Sequence, residues 1–125
     1  MDVIKQISVF LENKPGRLAT FIDLMDRIGV RIQAMGIAEA GNYGIVRTVV
    51  DDSEKAMEAL KKENMAVNMA DVVLIDLKDM RAAIRLLGES GVNVDYAYTM
   101  DGGKVVVKVD KADTAMRVLA GLRPS

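Results

Sequence analysis

The feature that most constrains this chain is that it reads twice. Gly29-Val30-Arg31-Ile32 recurs as Gly91-Val92-Asn93-Val94, an offset of 62 residues. At the same offset Leu18, Phe21, Ile22 and Met25 fall on Met80, Ala83, Ile84 and Leu87. Both sets have the i, i+3, i+4, i+7 spacing of one apolar helix face. Farther along the offset becomes 59: Val50-Asp51 matches Val109-Asp110, and Ala56, Met57 and Leu60 match Ala115, Met116 and Leu119. The change falls around Gly41-Asn42-Tyr43-Gly44 and Gly102-Gly103, and turns are where insertions are tolerated. A duplicated unit is the reading that fits.

Pattern and punctuation then supply the unit. Residues 3–12 alternate Ile7, Val9 and Leu11 against Gln6, Ser8 and Phe10, a strand buried on one face. Pro15-Gly16 breaks it. A helix is expected from Arg17 to Ile28, ended by Gly29. Strands at 30–39 and 45–50 flank a hairpin turn at Gly41-Asn42-Tyr43-Gly44. Asp51-Asp52-Ser53-Glu54 offers a cap and first-turn acids for a helix to Glu63, and 66–77 is apolar and strand-like. The order β-α-β-β-α-β is ferredoxin-like, with right-handed crossovers placing both helices on one face of an antiparallel sheet. The second copy reads helix 79–90, strand 92–100, turn Asp101-Gly102-Gly103, strand 104–109 and helix 111–121, with Asp110 to Asp113 as its capping signal. The predicted class is α+β: two tandem modules, 1–70 and 71–125, the second lacking its last strand because the chain ends at Gly121-Leu122-Arg123-Pro124-Ser125. The stretch 66–77 must end one module and begin the next, as two short strands around Asn68–Asp71 or as one long strand shared by two sheets. The open edge of the second module needs cover, from the other copy or from another subunit.

Composition narrows the function. Two modules of about 60 residues are each marginal alone, so they should lean on each other or on a second chain. With 17 basic and 18 acidic residues the net charge is −1, which offers nucleic acid no basic surface. No basic leader with an apolar run and no membrane-length apolar stretch is present, and the expectation is a cytoplasmic protein. Cysteine and histidine are both absent, which removes disulfides, the commonest transition-metal ligands, and nucleophile–imidazole catalysis. Asp51, Asp52, Asp71, Asp76 and Asp79 fall at helix starts and turns and read as caps rather than as Mg²⁺ ligands. No catalytic residue, metal or cofactor is expected. Met25, Met57 and Met116 lie at core spacing, and Tyr96 and Tyr98 share one strand face.

The segment Leu11-Glu12-Asn13-Lys14-Pro15-Gly16-Arg17-Leu18 joins a strand end to a helix start. Pro15 fixes its own φ and holds Lys14 extended. Gly16 permits close backbone approach. The first helical turn leaves free N–H groups that favour a carboxylate, and Asn13 can both donate and accept. The segment, followed by Gly29-Val30-Arg31-Ile32, resembles the strand–loop–helix signature of ACT domains, and the whole chain resembles small tandem-ACT proteins. That resemblance implies a regulatory, allosteric, non-enzymatic protein that binds an amino acid between paired modules. The loop after the first strand of one module (Leu11, Asn13, Lys14, Pro15, Gly16, Arg17, Leu18) would face the start of the second strand of its neighbour. That second position is Arg31 in copy one and Asn93 in copy two. Copy two has Asp76-Leu77-Lys78-Asp79-Met80 in place of the loop, without Pro or Gly, so one composite site per chain is expected, the loop against Asn93. Leu11 favours an apolar ligand side chain, unless it is core packing. The partners implied are an amino acid, a second copy in a homodimer, and an enzyme of amino-acid metabolism. The alternative is a protein-interaction or regulatory subunit that has no ligand of its own, motivated by the open sheet edge.

Overall fold

The computed structural model describes residues 2–122. In chain order the elements are β1 (Asp2–Glu12), α1 (Arg17–Arg27), β2 (Ile32–Ala40), β3 (Tyr43–Val50), α2 (Ser53–Lys62), β4 (Ala66–Asp76), a single 3₁₀ turn (Leu77–Asp79), α3 (Met80–Glu89), β5 (Val94–Met100), β6 (Lys104–Val109) and α4 (Ala112–Leu119). They form two ferredoxin-like units. Residues 5–70 make the first, and residues 2–4 group with residues 71–122 in the second.

In the first unit the strands run in the order β2-β3-β1-β4. β3 lies antiparallel to β1, with Ile7 opposite Thr48 and Glu12 opposite Tyr43. Phe21, Leu24 and Met25 of α1 and Ala56 and Leu60 of α2 close over Ile7, Val9, Leu11, Val46 and Val50, so both helices cover one face of the sheet. Met57 packs at the margin of this core. Ile22, expected on the apolar face, is instead 38% exposed. The expectation that β1 is buried on one face only is also corrected. Gln6 and Ser8 are buried as well, and Phe10 alone of that set is exposed, because β1 is an interior strand flanked on both sides by β3 and β4.

The second unit has the order β1-β4-β6-β5. Ala83 and Leu87 of α3 and Ala115 and Leu119 of α4 close over Val73, Ile75, Val105, Val107 and Val109. Met80 is 41% exposed, and Met116 is half-buried outside this cluster. Tyr96 and Tyr98 stack with ring centroids 6.4 Å apart. β4 is one continuous strand of 11 residues, not two short strands around Asn68–Asp71. Residues 2–4 stand where this unit's last strand was missing. The anticipated division at 70/71 therefore differs from the compact units by the start of β1, because β1 extends beyond residues 7–12, the part registered against β3. Arg123–Ser125 of the expected chain end lie outside the described residues.

The geometry explains the repeated Gly-Val and Val-Asp pairs. Gly29 and Gly91 each have φ 76°, the left-handed helix end. Val30 N–H donates to Met25 O and Val92 N–H to Leu87 O, both at 2.9 Å, which turns each valine into the core. Next, the N–H groups of Arg31 and Asn93 donate to Asp51 Oδ1 and Asp110 Oδ1, both at 2.9 Å. Asp51 N–H and Asp110 N–H donate back to the Arg31 and Asn93 carbonyls at 3.1 and 3.2 Å. Asp51 and Asp110 are thus backbone clasps, not helix caps. Asp52 caps α2 by accepting from Lys55 N–H at 3.1 Å. Lys111 holds the N-cap position of α4 without a side-chain cap bond. Asp76 and Asp79 make no cap bonds either.

Candidate functional site

The β1–α1 loop is built by two turns. Lys14 N–H donates to Glu12 O at 2.8 Å, and Arg17 N–H closes back on Lys14 O at 3.3 Å across Pro15-Gly16. Gly16 has φ 87° and ψ −12°, the third position of a type II turn, which requires positive φ, with proline before it. A β-carbon at Gly16 would meet nothing within 4 Å, so the loop stands open there.

α1 starts on this turn without a side-chain cap and without an acid in its first turn. Thr20 spends both its N–H and its hydroxyl on Gly16 O, at 3.0 and 2.9 Å. The N–H groups of Leu18 and Ala19 have no acceptor among the described residues. Two free donors at the positive end of a helix form an anion-receptive point. Lys14 and Arg17 both pair with Glu12, at 3.0 and 3.5 Å. The Lys14 hydrogen bond and charge, with Arg17 behind, hold the Glu12 carboxyl below the usual carboxylate range.

The loop opens onto a cavity of about 370 Å³ lined by Glu12, Asn13, Lys14, Gly41, Asn42 and Tyr43. Asn13 N–H donates to Asn42 O at 2.8 Å and fixes the β2–β3 hairpin beside the loop. Sequence reading missed Glu12 and the hairpin as cavity walls. The Gly-Asn turn was visible, but its place beside β1 follows from the register of β3. A larger hollow of about 570 Å³ lies between α1 and α2. It is walled by solvated charges, with Lys62 already paired to Glu58 at 3.5 Å, and it holds no convergent uncharged polar groups.

The other anticipated residues are dispersed. Leu11 is 7% exposed within the core, so its side chain faces away from the loop. Arg31 lines a separate hollow with Ile22, Met25, Asp26 and Gly29, beyond the other end of α1. The 11 residues of that helix span about 16 Å. Asn93 belongs to the second unit, where its side chain donates to Asp95 Oδ1 at 3.0 Å.

The second unit repeats the framework of the loop with different contents. Leu77 N–H donates to Gly103 O at 2.8 Å, the counterpart of Asn13 on Asn42. Asp76 lies opposite Lys104, as Glu12 lies opposite Tyr43. Lys104 Nζ donates directly to Asp76 Oδ1. This bond lowers the Asp76 pKa and raises that of Lys104.

Over residues 2–122 the chain matches the family described as the ACT domain pair. The chain belongs to that family. A solved protein from Bacteroides thetaiotaomicron is 34% identical to this ACT pair, with a TM-score of 0.86 over 94% of this chain and 87% of its own. The regulatory subunit of aspartate kinase from Thermus thermophilus, in ligand-free form, shares the fold at 16% identity and a TM-score of 0.66, covering 95% of this chain and 93% of its own. That of Thermus flavus does so at 17% and 0.64, covering 96% and 95%. No curated protein matches the chain. Among the described residues of this ACT pair, no three acidic side chains gather as a metal site, and no helix is long and apolar enough to cross a membrane.

Proposed function

We propose that this ACT pair is a regulatory protein without catalysis of its own, which binds a free amino acid at the loop Asn13–Leu18 and passes its occupancy to a partner enzyme of amino-acid metabolism. The observation that carries this reading is the pair of unspent N–H groups at Leu18 and Ala19 beside the open Gly16 turn. They suit an α-carboxylate, with Lys14 and Arg17 adding positive charge and Asn13 positioned for the α-amino group. Arg31, at the far end of α1, reaches such a site only from a second copy of the chain, and Asn93 holds the matching place at the start of β5. Ligand bridging two copies would favour one association state over another.

The test is a thermal-shift screen of the twenty amino acids at millimolar concentration. A ligand at 100 times its Kd stabilises the folded state by about 2.7 kcal/mol, a shift of several degrees. Unchanged melting curves from well-folded protein refute the proposal. A second reading, a subunit that works through protein contacts alone, draws on Met35 and Ile37, 37% and 56% exposed on β2, the outer strand of the first unit. Light scattering after size exclusion, showing a stable dimer that ignores every amino acid, would favour it.

A further inference from the structure

The two copies of the repeated unit carry opposite charge on one side of their first helices. On α1, Ala19, Ile22, Asp23 and Asp26 fall at i, i+3, i+4 and i+7, a single stripe of the helix. All are exposed, Ile22 at 38%. Ile22 and Asp26 border a hollow with Arg31 and Ile32, so the stripe lies on the side of α1 toward the outer strand β2. At the offset of 62 the same stripe of α3 reads Arg81, Ile84, Arg85 and Gly88. One stripe holds two acids and the other two bases.

The outer strands differ in size at the matching places. Met35 shares a cross-strand row with Thr48 and Ile7, and Ile37 with Val46 and Val9. Neighbours in a row point to one face, so Met35 and Ile37 stand on the helix side of β2, 37% and 56% exposed. Their counterparts on β5, Ala97 and Thr99, are exposed and smaller, in rows with Val107 and Val105 on the helix side of the second unit.

We infer that a second copy of the chain docks here, with α1 and β2 of one copy against α3 and β5 of the other. With the helices antiparallel, Ala19 meets Gly88, Asp26 meets Arg81 and Asp23 lies beside Arg85. A β-carbon at Gly88 would meet nothing within 4 Å, so α3 is open to a neighbour at that point. Met35 and Ile37 then face the smaller Ala97 and Thr99. Like faces do not match: two α1 stripes set Asp23 and Asp26 against acids, and two α3 stripes set Arg81 and Arg85 against bases. Arg85 rests on Glu89 at 3.4 Å with both side chains exposed, a pair that yields at little cost. Exposed ion pairs add little affinity, so the charges select the unlike face while Ile22, Met35 and Ile37 supply apolar area. This surface stands apart from the amino-acid reading above and does not depend on it.

The experiment is sedimentation equilibrium of the full chain without ligand, over a range of concentrations. The wild-type protein should self-associate. Asp23→Lys with Asp26→Lys, and separately Arg81→Glu with Arg85→Glu, should each raise the dissociation constant about tenfold or more. All four substitutions in one chain, or an equimolar mixture of the two double variants, should restore it to within about threefold of wild type. The four positions are exposed, so melting curves should stay close to wild type. The inference is overturned if the wild-type protein is monomeric at millimolar concentration, if either reversal leaves association unchanged, or if neither the four-substitution variant nor the mixture recovers it.

Discussion

Gly16→Ala separates the loop's backbone strain from its proposed role in binding. Gly16 sits at φ 87°, in the left-handed region that costs a residue with a β-carbon about 1–2 kcal/mol. The added methyl meets nothing within 4 Å, so no packing penalty adds to the strain. For a chain of this size the expected fall in melting temperature is roughly 4–8 °C. Gly91→Ala is the matched control. Its φ is 76° and its β-carbon also meets nothing within 4 Å, so it should lose comparable stability while lying at the end of α3 instead of in the loop. Calorimetry on both variants, with and without the best ligand from the screen, provides four melting temperatures. The ligand-free pair should fall together, and the ligand-induced rise should vanish in Gly16→Ala and persist in Gly91→Ala. An unchanged ligand-free melting temperature in Gly16→Ala would refute the strained turn. An equal ligand response in the two variants would remove the loop from the site.

The remaining expectations concern the frame. The Asp76–Lys104 pair should make stability fall at both pH extremes. The lowered Asp76 pKa contributes stability above the unfolded carboxyl value near pH 4, and this is lost as pH falls through the folded value. The raised Lys104 pKa contributes below the unfolded amine value near pH 10.4, and this is lost as pH rises through the folded value. Urea midpoints against pH should flatten at both limbs in Lys104→Met, and identical profiles would contradict the linkage. Phe21→Ala, at a fully buried position, should cost about 3–5 kcal/mol by urea unfolding; a loss under 1 kcal/mol would contradict the packing. Asp51→Ala and Asp110→Ala should each cost about 1–2 kcal/mol and speed amide exchange at Arg31 and Asn93 respectively, with no cross-effect between the two clasps.

Much of the fold was legible because the repeated residues perform the same local work. Gly29 and Gly91 end helices in the left-handed conformation, Val30 and Val92 follow them into a core, and Asp51 and Asp110 clasp the next backbone N–H. The same aspartates were misread as caps, since a short carboxylate before a helix looks alike whether it bonds forward to the helix or across to a strand. The loop was legible for a similar reason, as Pro15-Gly16 dictates its turn within a few residues. The Asn42 and Tyr43 walls were not, because only the pairing of β3 with β1 brings them beside Asn13.

By itself the sequence determined what depends on near neighbours: the period of the duplication, the helix faces, the glycine stops, and the absence of cysteine and histidine with the disulfide and imidazole chemistry they carry. The tertiary structure alone decided what depends on strand pairing. It placed residues 2–4 with the second unit, kept β4 continuous, and set the hairpin against the loop. Pairing register joins residues far apart in the chain, and alternation within one strand gives a side chain's face but not which strands will flank it.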